Sequence, residues 1–416
     1  MTNFTKERIA HFAKAQSPFY AALYRDADAG HLFETLPVAT QDRVAFVAQG
    51  DHRKFQCLPQ ASGIIYSSSG TTGIAKLTKF DRNEWNVSTN LIANTHWKYG
   101  FLADGDIVAN LATPGHASFM LVHDVLQRFP APITEIAVGA DQDWPFIHTL
   151  ITGTGVNVLT GVYSTFIALA DYLLSIGETL PEIRQLLGGG EMLYGAQRDY
   201  LRKAFPNASL CAFLYGSTDA GNIGHNVANE EENVYQVFSS MSHAEIVDPH
   251  DHRIISEPGV PGLLVVTNLI RTNAPVVRYS NGDMAEWVSP PNASGQTFRL
   301  HGRRYPNIHF DNAILSGNTI ADLIREVGPE VPLLRLEAVL DESAGHPRMT
   351  VTYTAIEPFV SEYDRIVMRE LLALVPALEG TDIAIVHRKL SDFPSNSRLR
   401  SKLLVDIRNG SHRTFG

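Results

Sequence analysis

The chain has 416 residues, 44% hydrophobic and 19% charged, enough to bury two or three cores and too apolar for a disordered polymer. Its formal net charge of −10 implies no basic face, which argues against a nucleic-acid binder or a partner for an anionic membrane. Two distant cysteines, Cys57 and Cys211, give neither a disulfide framework nor a zinc cluster, and no leader or 18-residue apolar run occurs, so a soluble cytoplasmic protein is expected.

In chain order, a short helix is expected over Lys6 to Lys14, and a longer one from Arg82 to Tyr99 with Asp81 as its N-cap. "DIVANLA", Asp106 to Ala112, reads as a buried strand, followed by the turn "TPGH" and a helix from near Ser118 to before Pro130. Strands at 155–161 and 183–191 then alternate with helices from Ser164 (as its own cap) to Ile176 and over 196–205, before "LCAFLYGSTDAG" closes the pattern as a strand and polar turn. Strand–helix alternation with Gly/Ser/Thr turns after the strands predicts an α/β sheet whose ligand lies beyond the strand ends. After about residue 224 short strands without helices predict a β-rich, barrel-like subdomain, and from residue 302 a small α+β domain is expected. Its elements are a helix near 319–327, strands "LRLEAVL" and "RMTVTYTA", a helix at 361–374, and strands "DIAIVH" and "KLLVDI".

One stretch carries more chemistry than its neighbours. "IIYSSSGTTGIAKLTKF", Ile64 to Phe80, sets the hydroxyls of Ser67, Ser68, Ser69, Thr71 and Thr72 around Gly70 and Gly73, with Lys76 behind them. Glycines let the backbone turn close to a ligand, and the hydroxyls, amide N–H groups and ammonium all suit phosphate oxygens. It is neither a Walker loop nor a dinucleotide fingerprint, and a bare polar turn would have the same composition. Four further segments stand out: "LLGGGEML", "LYGSTDAG", "RYSNGDMAEW" and "HGRR". Alone, each reads as an ordinary turn or strand end.

The five segments, in this order, resemble those of the adenylate-forming superfamily, which includes acyl-CoA synthetases, luciferases and adenylation domains; their spacing is most similar to the phenylacetate–CoA ligase-like branch. The resemblance covers residues 64 to 303. It implies a large domain over 1–301, with α/β subdomains to about 224 and a β-rich part over 225–301, then a small domain over 302–416 with a hinge near 303–306. It implies ATP- and Mg2+-dependent activation of a small, aromatic carboxylic acid as acyl-AMP, with transfer to coenzyme A. The alternatives are transfer to an amine, a reductase or a carrier protein, or nucleotide binding with reduced catalysis. A homodimer stays open as a partner.

By family position, Ser67 to Gly73 would hold the phosphates, and Gly189, Gly190 and Glu191 would line the adenine and acyl pockets. Tyr215, Gly216 and Ser217 would lie along the nucleotide, Thr218 would meet the α-phosphate, and Asp219 would be the metal ligand. Asp283 would accept the ribose hydroxyls and Arg303 would meet ribose or phosphate. His116, Phe119, Tyr163 and Phe166 would form the acyl pocket. Two departures stand out. Asp219 replaces the family's Glu, shortening the reach by one methylene, and Tyr305-Pro306 occupies the expected hinge. The family's C-terminal Gly-Lys is also absent from "PSNSRLRSKLLVDI", leaving Arg398, Arg400 and Lys402 as candidates beside Lys76 for the catalytic cation.

Overall fold

A computed structural model describes residues 4–27, 32–40, 57, 62–67, 77–227, 233–291, 295–342, 345–356, 358–392, 403–408 and 413–415. Two short helices, α1 (Lys6–Gln16) and α2 (Pro18–Leu23), come first, and α3 (Arg82–Lys98) follows a two-stranded hairpin, Gly63–Ser67 with Leu77–Asp81. Asp81 caps α3, and Glu84 bonds back to the Asp81 N–H, a reciprocal capping box that fixes where the helix leaves the hairpin.

Next comes a five-stranded parallel sheet in the order Thr134–Ile136, Ile107–Asn110, Val158–Thr160, Gln185–Gly188, Ser209–Ala212. Its crossovers are α4 (Ala117–Gln127), α5 (Trp144–Thr154), α6 (Tyr163–Ser175) and α7 (Gly195–Ala204). The central strands are buried on both faces, which is why "VLT" and "QLLG" lack polar alternation. Helix α5 was not expected, although Asp143 caps its start and Gly155, at φ 72°, ends it. The expected cap of α6 is corrected. Val162 is the N-cap and makes no side-chain bond, whereas Ser164 lies inside the first turn and gives its N–H and Oγ–H to Glu191, each at 3.0 Å.

From Tyr215 the chain enters a nine-stranded sheet, antiparallel except where Ala39–Thr40 pairs in parallel with Tyr279–Ser280. Its order is Ala39–Thr40, Tyr279–Ser280, Gly262–Asn268, Asp283–Trp287, Thr297–Arg303, Val234–Val237, Gly221–Asn226 and Tyr215–Ser217, with Ser242–Val247 paired to Gly262–Asn268. Helices α1 and α2 close its core through Ile9, Phe19 and Tyr20 against Leu264, Val266 and Val277. Arg278, buried at φ 43°, pairs with Glu245 at 3.1 Å and donates to the carbonyls of Glu34 and Leu36, tying the N-terminal segment to this sheet.

The remaining residues form a five-stranded sheet ordered Asp382–His387, Arg348–Ala355, Leu333–Asp341, Leu404–Asp406, Arg413–Phe415, packed on α8 (Gly317–Val327) and α9 (Glu362–Leu374). The whole is thus an α/β protein with one parallel sheet, one large mixed sheet and a small α+β unit. Besides the apolar packing of Leu334 in the parallel-sheet core, side-chain hydrogen bonds join that unit to the rest. Gln197 on α7 donates to the Leu334 carbonyl at 2.7 Å. Asn318, in the first turn of α8, donates to the Arg303 carbonyl and accepts the Tyr305 N–H at 2.9 Å. The opposite edge of the same strand is held by the large sheet, because Arg304 N donates to the Gly282 carbonyl at 2.8 Å.

Candidate active site

The carboxyl ends of the parallel strands and the first strand of the mixed sheet meet around Tyr215. Its ring packs against Tyr235 at 5.1 Å and Phe298 at 5.6 Å, leaving the hydroxyl to donate to Asp283. Asp283, only 8% exposed, also accepts from Asn281 Nδ2 at 2.8 Å and from Arg303 Nε at 2.8 Å. The hairpin supplies this geometry: Asp283 and Arg303 are register partners on adjacent strands, and Asn281 Oδ1 accepts the Asp283 N–H across the turn. Burial and the neighbouring Asp283 charge push the Tyr215 hydroxyl well above the ordinary phenol range, so it remains a donor. Burial opposes the charge on Arg303, but Asp283 more than offsets this and holds the guanidinium pKa above its usual value.

A second carboxylate, Asp219, sits in the turn after Ser217. It accepts from Tyr279 OH at 3.1 Å and from Thr78 Oγ1 at 3.4 Å, so it faces the outgoing strand of the Gly63–Ser67/Leu77–Asp81 hairpin. Ser217 Oγ accepts the Ala220 N–H at 3.0 Å and shapes that turn. Gly216 is required by a close approach, since a Cβ there would lie 2.5 Å from the Gly221 carbonyl oxygen. Thr218 is the half-buried residue between them.

No family model matches the chain. The indoleacetate–lysine synthetase of Pseudomonas savastanoi is 23% identical over 387 residues, 89% of this chain and 91% of that protein. Among solved structures, a 2-hydroxyisobutyryl-CoA ligase in the postadenylation state superposes with a TM-score of 0.71 at 16% identity, covering 96% of this chain and 88% of that one. The acyl acid amido synthetase AtGH3.15, in complex with 2,4-DB, gives 0.67 at 14% identity, covering 96% and 91%. The fold is that of the adenylate-forming superfamily.

Within this fold the expected residues divide into four groups. Tyr215, Gly216, Ser217, Thr218, Asp219, Asp283 and Arg303 gather on the adjoining strands and turns just described. Gly189, Gly190 and Glu191 follow the strand Gln185–Gly188, with Gly190 at φ 75°, and the Glu191 carboxylate serves the N-terminus of α6. Ser67 ends the incoming hairpin strand, whereas Ser68, Ser69, Gly70, Thr71, Thr72, Gly73, Lys76, Arg398, Arg400 and Lys402 lie outside the described residues.

The four residues expected around the acyl group have different surroundings. His116 caps α4, accepting the Ser118 N–H at 3.2 Å, and Phe119 is half-buried one turn along. Tyr163 and Phe166 are core residues: Phe166 is fully buried, and the Tyr163 ring packs so tightly on Gly188 that a Cβ there would meet it at 2.2 Å. A magnesium ion is implied by the fold family, and the donors fit it. Asp219, Thr78 and Tyr279 present hard oxygens, and no cluster of three His, Cys, Asp or Glu side chains able to hold a metal occurs among the described residues. One carboxylate plus substrate phosphates and water is how magnesium is commonly held. Sequence reasoning missed Thr78, Tyr279, Asn281, Glu84 and Arg271. Only the adjacency of Asn281 to Asp283 was a readable signal, an Asx-type turn before a strand.

Proposed function

We propose that the protein activates a small aromatic carboxylic acid with ATP, giving acyl-AMP and pyrophosphate, and passes the acyl group to the amine of an amino acid, giving an amide and AMP. The carrying observation is the buried Asp283 carboxylate, fixed by Tyr215, Asn281 and Arg303 with acceptor capacity to spare. It supports recognition of a ribose, with Tyr215 along the nucleoside and Asp219 on the phosphate side. The amine acceptor and the aromatic acid are supported by the nearly full-length similarity to an indoleacetate–lysine synthetase. Coenzyme A as acceptor is the second reading, favoured by the superposition on a CoA ligase.

In the first step an oxygen of the acid attacks the α-phosphorus, and the bond to the pyrophosphate oxygen breaks. The acid is ionised at neutral pH, so no general base is needed; the protein must offset crowded negative charge. Asp283 holds the ribose, Arg303 orients Asp283, and Thr218 meets the α-phosphate. Residues Ser67 to Gly73 and Lys76 serve the β- and γ-phosphates. Magnesium, held through Asp219, would supply charge neutralisation. In the second step the neutral amine attacks the acyl carbon, the bond to the AMP oxygen breaks, and the nitrogen gives its proton to solvent.

The test is labelled-pyrophosphate exchange into ATP with a panel of aryl and aliphatic acids, followed by product analysis with amino acids or coenzyme A. Acid-dependent exchange with amide formation is expected. Thioester formation selects the second reading, and ATP binding without exchange for any acid refutes both.

A further inference from the structure

Arg271 follows the strand Gly262–Asn268, is 2% exposed, and forms no ion pair among the described residues. Its Nη1 donates to the Asp219 carbonyl at 2.6 Å and its Nη2 to the Lys79 carbonyl at 3.2 Å. The guanidinium lies 4.5 Å from the centroid of the Phe80 ring, and its Nε has no partner among the described residues. The nearby Glu84 carboxylate is engaged elsewhere: it accepts from Thr272 N at 2.6 Å, Thr272 Oγ1 at 3.0 Å and Asn273 N at 2.8 Å. A buried cation without a paired carboxylate is costly, and burial accordingly lowers its pKa, with Glu84 and Asp219 opposing the shift.

The two carbonyls that Arg271 grips belong to the two segments that matter for phosphate. Lys79 is in the strand leaving the Ser/Thr/Gly loop, and Asp219 is the candidate metal ligand. A planar guanidinium with its donors in a fixed fork sets the spacing of two acceptors, which a point-charge ammonium does not. We infer that Arg271 is a positioning residue of the nucleotide site, fixing the strand Leu77–Asp81 against the Asp219 turn. The inference rests on the adenylation reading.

The test uses the full chain with Arg271→Lys and Arg271→Met. Calorimetric affinities for Mg·ATP and for AMP, a magnesium titration of ATP binding, and thermal midpoints are measured. Arg271→Lys keeps the charge and loses one grip, so the magnesium concentration for half-maximal ATP binding should rise about tenfold, the scale of one charge-assisted hydrogen bond, while AMP affinity stays within about threefold. Arg271→Met should lose Mg·ATP affinity further; if it does not fold, the Lys variant alone decides. Equal loss of Mg·ATP and AMP affinity with a lowered midpoint would mark a merely structural residue and overturn the inference, as would an unchanged magnesium titration. A wild-type protein that binds no Mg·ATP overturns the adenylation reading and this inference with it.

Discussion

Replacing Asp283 by Asn tests the nucleotide site most directly. A carboxylate offers about four lone-pair positions, and three are occupied by Tyr215, Asn281 and Arg303, so one ribose hydroxyl can be accepted without breaking an existing bond. A hydrogen bond to a charged group contributes about 1.5–3 kcal/mol, which predicts about a 10- to 150-fold loss of ATP affinity. The substitution also faces an amide NH2 or a neutral oxygen toward donors that expect an anion, and leaves Arg303 without its partner. Stability should therefore fall by about 2–3 kcal/mol, less than the roughly 3–5 kcal/mol of a fully buried pair because Arg303 is partly exposed. The assay is calorimetry of wild type and variant with ATP and with 2′,3′-dideoxy-ATP, closing a cycle between side chain and hydroxyls. Wild type should lose affinity for the dideoxy nucleotide, and the variant should lose little more. If the variant weakens ATP and dideoxy-ATP by the same factor, Asp283 does not meet the ribose and the assignment fails.

Three further outcomes follow from packing and linkage. Asn318→Ala removes two neutral hydrogen bonds at residues 303–305, so a loss of about 1–2 kcal/mol is expected, with faster amide exchange at Tyr305 by mass spectrometry. Gly188→Ala drives a methyl into the Tyr163 ring at 2.2 Å and should cost about 1–3 kcal/mol in urea unfolding. His96 is fully buried and donates from Nε2 to the Phe213 carbonyl at 2.9 Å, and burial pushes its pKa from 6.5 down to about 4. The unfolded chain therefore takes up the proton first: this contribution is fully present above pH 6.5 and falls by about 1.4 kcal/mol per pH unit as pH drops toward 4. Urea midpoints across that window should show the slope in wild type and a shallower one in His96→Gln.

What could be read in the sequence was local. Asp81 marked the start of α3, and apolar runs between Gly/Ser turns marked four of the five parallel strands, all but Thr134–Ile136. Glu191 was harder. Its carboxylate caps a helix that begins 28 residues earlier, so Ser164 looked like the cap because a sequence offers only near neighbours. "LCAFLYGSTDAG" was read as ending in a polar turn, and the strand that follows it was not expected; Gly221–Asn226 is mostly buried because its neighbours satisfy both edges. Helix α5 was hidden by its β-branched residues, which weaken helical propensity until packing of Ile147 and Ile151 decides the matter. Nothing in "NLIRTNAP" distinguishes Arg271 from a surface arginine, since its acceptors come from segments 52 and 192 residues away.

The parallel pairing of Ala39–Thr40 with Tyr279–Ser280, and of Tyr20 OH with the Val277 N–H, has a consequence for biosynthesis. Helices α1 and α2 leave the ribosome early, yet the surface that buries Phe19 and Tyr20 is not finished until residue 280 has emerged. At roughly 5–20 residues per second, that delay is on the order of 10–50 s, during which the N-terminal apolar face stands uncovered. The parallel sheet, whose strands all lie between residues 107 and 212, can close in the meantime, so the large mixed sheet is the late-maturing part of the molecule.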